Sequence, residues 1–143
     1  MPSGMHQEVL KIPIEVIWNF MKEMDNWSPL VPGYVHHEKL NNRQSKWEFE
    51  SDFGILKKRV SFLVDIKEWK PPTKVGFDLK GEKYVGEGYF EALAINRNKT
   101  RLIGFLDVNA IGAMEGMKNS VLKNSVPKWV EEMALGIASK LEV

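Results

Sequence analysis

The chain has three histidines, His6, His36 and His37, and no cysteine, so acid–base work or metal ligation falls to very few side chains. Thiolate nucleophiles, thiolate metal sites and a disulfide framework are excluded at once. In a strand, the adjacent His36 and His37 point to opposite faces and cannot chelate one ion together. At most one of them faces inward, where a hydrogen-bonded core or rim histidine is a commoner outcome than a general base. No Ser-His-Asp arrangement, glycine-rich phosphate loop or zinc-ligand spacing is legible. The residue types therefore predict no catalytic set, no metal and no cofactor. They point instead to apolar binding, because aromatic and methionine side chains are spread along the whole chain.

The elements that must position those side chains follow from periodicity. Met5 to Ile12 is a short strand candidate. Pro13 then opens a helix, its fixed φ suiting a first turn, with Val16, Ile17, Phe20, Met21 and Met24 as the apolar stripe. The segment DNWSPLVPGY holds two prolines and a glycine and cannot be one long element. Trp27, Leu30, Val31 and Tyr34 nevertheless make it apolar, so it packs on something or forms the movable edge of a cavity. Six strands follow. They run from Tyr34 to Leu40, through Trp47 and Phe49 to a turn at Gly54, and along KKRVSFLVDIKEW to Pro71-Pro72. Val75, Phe77 and Leu79 line the next, Tyr84 to Ile95 the fifth, and Leu102 to Val108 the last. Gly86, Gly88 and Gly104 in these strands mark bends or close approaches.

The last stretch, Gly112 to Val143, is the only one long enough for a helix of many turns. Met114, Met117, Val121 and Leu122 fall on one stripe, continued by Ser125 and Trp129, with Lys118, Asn119, Lys123 and Asn124 on the wet side. Pro127 interrupts it, either as a restart of the helix or as a bend that brings Trp129 over one end of a cavity. The order strand, helix, six strands, long helix, with hairpin-length connections, reads as an α+β domain with an antiparallel sheet.

At 143 residues this is one domain, residues 1–143, able to bury its own core. Its 20 basic and 19 acidic residues leave a net charge of +1, without the basic excess of a nucleic-acid binder. No apolar run is long enough to cross a membrane. MPSGMHQE lacks a basic head and apolar stretch, so no signal peptide is expected and a cytoplasmic setting is the default.

The motifs IPIEVIWNFMKEMDNW, VPGY, KEWKPP, FDLKGEKYVGEGYFEAL and KTRLIGFLDVNAIG, in that order before a terminal helix, resemble the START-like or SRPBCC superfamily. Within it the chain is similar to the CoxG-like family, named for a component of carbon monoxide dehydrogenase. The resemblance implies a helix-grip fold: a curved antiparallel sheet of about seven strands wrapped around the C-terminal helix, with a shorter helix after the first strand. It also implies a cavity for an apolar small molecule that is lipid-, quinone- or polyketide-like. Two alternatives come with it: a polyketide cyclase or dehydratase type of enzyme, and an assembly or recruitment factor for a carbon monoxide dehydrogenase-like oxidoreductase.

On that arrangement Trp47, Phe49, Val60, Phe62, Phe77 and Leu79 line one wall and Met114, Met117 and Val121 the other. Trp27, Val31, Tyr34 and Trp129 close the ends. Methionines suit a wall that repacks around a guest. The same side chains fit a solid core equally well, each contributing about 1.5–3 kcal/mol by burial in either case. Arg59, Glu82, Tyr84 and Tyr89 are the polar residues expected nearest a mouth, and Tyr84 or Tyr89 has the hydroxyl to anchor a ligand carbonyl. On the outer faces Leu63, Leu93, Ile103 and Phe105 are apolar where water is expected, which invites a homodimer or a protein partner if they cluster.

Overall fold

The computed structural model describes residues 3–31, 34–53, 56–112 and 115–141, and their side chains except those of residues 51–59. The expected Gly54 turn, the Arg59 side chain and Met114 lie outside the described residues. Seven strands form one antiparallel sheet: β1 (Ser3–Leu10), β2 (Tyr34–Lys39), β3 (Gln44–Phe53), β4 (Leu56–Lys70), β5 (Lys74–Lys80), β6 (Tyr84–Asn96) and β7 (Lys99–Ala110). Their spatial order is β1-β7-β6-β5-β4-β3-β2, so the first strand closes on the last and β2 stands at the far edge. The sheet curves around the long helix α3 (Glu115–Leu141), which lies against β7 and β1. This is the helix-grip arrangement.

Alternation decides which face is inside. Trp47, Val64, Ile66, Val75, Phe77, Leu79, Phe90, Leu102, Leu106 and Val108 turn toward α3 and are buried. A bulge between Ile66 and Glu68 shifts the register of β4 on β5, so that Trp69 returns to the inner face opposite Val75. Gly86 marks a close approach: a Cβ there would sit 2.0 Å from the Asp107 carbonyl oxygen, so only glycine lets β6 come so near β7.

The first helix, α1 (Ile14–Met21), begins one residue after Pro13, which occupies the N-cap position rather than the first turn. Its buried face is Ile17, Trp18 and Met21, whereas Val16, expected on that stripe, is 42% exposed. Trp18 takes the place because its ring meets Trp69 edge-on at 5.2 Å. Met24 belongs to a separate short helix, α2 (Met24–Trp27), followed by a 3-10 turn at Ser28–Leu30. Pro127 neither restarts nor ends α3, which runs through it as one element.

The four outer apolar residues do not form one patch. Phe105 pairs with Met5 and Tyr89, Ile103 with Gln7 and Glu91, and Leu93 with Arg101, so these three neighbour one another on β6 and β7. Leu63 lies on β4 between Lys46 and Lys80, two strands away from Leu93. Ile103 is itself 8% exposed.

Candidate functional site

Between the sheet and α3 lies a cavity of about 60 Å³. Its wall is made by Val31, Trp47, Phe49, Val60, Phe62, Phe77, Leu79, Tyr84, Leu106, Val108, Leu122, Trp129 and Met133. Strand alternation delivers the sheet side of this wall. Trp47 and Phe49 come from β3, Val60 and Phe62 from β4, Phe77 and Leu79 from β5, with Leu106 and Val108 from β7. Helical spacing delivers the other side, since Leu122, Trp129 and Met133 are seven and four residues apart.

Of the residues expected to line a pocket, Val31, Trp47, Phe49, Val60, Phe62, Phe77, Leu79 and Trp129 are brought together here. Four others are not. Trp27 is buried behind the wall, its indole N–H donating to the Met21 carbonyl at 2.9 Å while its ring contacts Trp47, Phe77 and Phe90. Tyr34 turns to His37 instead. Met117 is exposed and Val121 half-buried, both outside the cavity. The reason is where α3 crosses the sheet. Asn119 Oδ1 accepts the N–H of Ala110, the last residue of β7, at 2.7 Å, so the turn carrying Met117 overhangs the strand end. Of the stripe expected from periodicity, Leu122 and Trp129 reach the cavity, the earlier turn carrying Met117 does not, and Met133 joins from the turn after Trp129. Asn119, placed on the wet side by periodicity, is the side chain that ties this end of the helix to the sheet.

Tyr84, Leu106 and Val108 complete the wall beyond the residues expected to line it. Tyr84, expected near the mouth for its hydroxyl, is buried, and burial holds its phenol above the usual tyrosine range. The ammonium of Lys118, which periodicity turns to water, stands 5.8 Å from the centre of the Tyr84 ring. The indole N–H of Trp47 is buried without an acceptor among the described residues, and the rings of Trp27 and Phe49 meet it edge-on.

A Ser-His-Asp grouping, not legible in the sequence, does exist at the β2 edge. His37 Nε2 lies 2.7 Å from Asp25 Oδ1. A carboxylate only accepts, so Nε2 carries a proton, and in the neutral imidazole Nδ1 is the acceptor. The Tyr34 hydroxyl reaches that nitrogen at 2.5 Å and Ser28 Oγ at 3.3 Å. Ser28 is 1% exposed, the tyrosine holds the closer position on Nδ1, and none of the four residues lines the cavity. The cluster fastens the 3-10 turn bearing Val31 to β2, beside the Lys39–Glu23 ion pair. Among the described residues no three histidine or carboxylate side chains stand close enough to hold a metal ion, and no helix is long and apolar enough to cross a membrane.

Comparison with known proteins gives a family model that matches residues 5–143, nearly the whole chain. No curated protein matches the sequence significantly. Among solved structures, a conserved protein from Geobacillus kaustophilus superposes with a TM-score of 0.81 at 16% identity, covering 97% of this chain and 94% of that one. The ZhuI aromatase/cyclase from Streptomyces sp. R1128 gives 0.75 at 11% identity, covering 98% and 93%. A START superfamily protein from Mycobacterium smegmatis gives 0.74 at 15% identity, covering 98% and 97%. At these identities the likeness is one of fold.

Proposed function

Because the chain belongs to the family so matched and carries the START-like helix-grip fold, we propose that it binds an apolar small molecule between the sheet and α3. The observation that carries this reading is the wall itself: thirteen residues from five strands, α3 and the turn before β2, none of them charged. Catalysis is disfavoured because general acid–base work needs converging polar groups, and Tyr84 contributes the only hydroxyl among the lining residues. The motif order VPGY, KEWKPP and FDLKGEKYVGEGYFEAL supports the CoxG-like branch of the superfamily for this chain.

The size of the cavity says how binding must happen. An apolar cavity of about 150 Å³ accepts benzene, and this one is about 60 Å³. A micromolar ligand needs about 8 kcal/mol, which at ~25 cal/mol per Å² corresponds to roughly 330 Å² of apolar surface removed from water. A guest of that area enters only if the wall yields. The yielding side is α3, through the flexible thioether of Met133 and the half-buried Trp129, together with Val31 on its short connection.

Titration with the neutral fluorophore N-phenyl-1-naphthylamine tests this. Micromolar binding is expected for the wild-type chain and strong loss for Leu122→Phe, which fills the cavity from the helix side. Wild-type protein that binds nothing, or a folded Leu122→Phe variant that binds equally well, overturns the reading.

A further inference from the structure

The apolar wall has one polar end. Tyr84 and Ala110 pair in the last row of β6 on β7, and the Lys118 ammonium lies over the Tyr84 ring, 5.8 Å from its centre. Lys118 precedes Leu122 by one helical turn, so it extends the stripe that carries Leu122, Trp129 and Met133. Lys39, Lys67, Lys70 and Lys74 each meet a carboxylate within 3.0 Å. Lys118 is half-buried and meets none among the described residues. Among the described residues, Lys118 is thus a cation at the end of the cavity with no carboxylate partner.

Resting on the binding reading above, we propose that the guest is an amphiphilic acid, its apolar body between sheet and α3 and its anionic oxygen at the Tyr84–Lys118 end. An isolated carboxylate or sulfonate entering an apolar cavity is strongly disfavoured unless it finds a cation and a hydrogen-bond donor. Lys118 supplies the cation. The Tyr84 phenol supplies a donor; like any tyrosine it is protonated at neutral pH, burial pushes it further that way, and so it does not repel the anion. A neutral guest of the same shape gains nothing from the ammonium, so the pair selects acids over their uncharged analogues.

Two fluorophores sharing one body separate these ideas: 8-anilinonaphthalene-1-sulfonate, which carries an anion, and N-phenyl-1-naphthylamine, which does not. The wild-type protein is expected to bind the sulfonate about tenfold tighter. Lys118→Met should weaken the sulfonate by about the same factor and leave the neutral probe within about twofold, while Tyr84→Phe weakens the sulfonate alone by a smaller factor. Decanoate should displace either probe at lower concentration than decanol does. Equal affinity for the two probes, or a sulfonate preference that survives Lys118→Met, overturns the acid proposal and leaves the apolar-binding reading standing. Sulfonate binding that persists in the filled Leu122→Phe variant assigns it to the surface and overturns the proposal too. Failure of both probes to bind removes the cavity reading and this one with it.

Discussion

The two halves of α3 are built on different terms. From Glu115 to Ser125 the helix buries Leu122 alone, whereas from Val126 onward it buries Val126, Val130, Met133, Ala134, Ile137 and Ala138. The second half is a core helix, its apolar stripe pressed into the sheet. The first half reaches the cavity through Leu122 and is tied to the sheet by the Asn119 contact with Ala110, while Trp129 and Met133 line the cavity from the second half. The halves meet at Pro127, which offers no N–H to the Lys123 carbonyl one turn earlier. There β1 passes so close that a Cβ on Gly4 would come within 2.5 Å of the Pro127 Cα. A helix anchored at one end and interrupted in the middle has an obvious half to lift when a guest enters, and that half bears Lys118 and Leu122.

The largest effect should come from the anchored half. Ile137 is 0% exposed, and truncation of such a side chain leaves a cavity that costs about 2–5 kcal/mol. Ile137→Ala should therefore lower the urea midpoint sharply with little change in slope. A loss below about 1 kcal/mol would mean that the second half is not the anchor. Next in size is Pro127→Ala, which should stabilise the protein by about 1–3 kcal/mol by restoring the missing helical hydrogen bond. Alanine retains the Cα against which Gly4 packs, so the contact with β1 survives. If the first half is the mobile one, the same substitution slows ligand entry, measured by stopped-flow binding of N-phenyl-1-naphthylamine. A neutral or destabilising outcome would show that the junction already satisfies its backbone by other means.

This contrast between halves also marks what the sequence could and could not say. Strand alternation is a local property with period two, so Trp47, Phe49, Val60, Phe62, Phe77 and Leu79 are assignable to the inner face from sequence, and all stand on the cavity wall. The order of elements and the antiparallel sheet are legible for the same reason. Helical periodicity gives a stripe but not the point along the axis at which the helix meets the sheet. Met117 and Val121 therefore look as eligible as Met133, and only the Asn119–Ala110 contact settles which turns lie over strand. Trp18 in place of Val16 is a similar phase error in a short helix, decided by a partner, Trp69, about fifty residues away. The Asp25–His37–Ser28 cluster is invisible in the sequence because its members come from three elements and meet only when β2 folds back against α2.

A smaller effect tests the polar anchor of the first half. Asn119→Ala leaves the buried N–H of Ala110 without its side-chain acceptor, a loss of about 1–2 kcal/mol. Because that contact also holds the overhanging turn to the sheet, the variant should speed amide exchange in residues 116–122 and leave 130–140 at wild-type protection. Exchange that rises equally along the whole helix would indicate one cooperative unit and dissolve the distinction between halves.

The smallest expected effect is the sharpest discriminator of where the helix sits. Met117 is 57% exposed, one residue before the lysine that covers Tyr84 and beyond the last residue of β7. A methionine buried in a cavity wall would cost about 2–5 kcal/mol on truncation to alanine. A surface substitution away from packing stays within about 0.5 kcal/mol, and alanine's better helix propensity offsets part of even that. Met117→Ala is accordingly expected to melt with the wild-type protein and to bind N-phenyl-1-naphthylamine unchanged. A clear loss in either measurement would mean that the first turns of α3 close down over the strand end in solution, putting Met117 back on the wall.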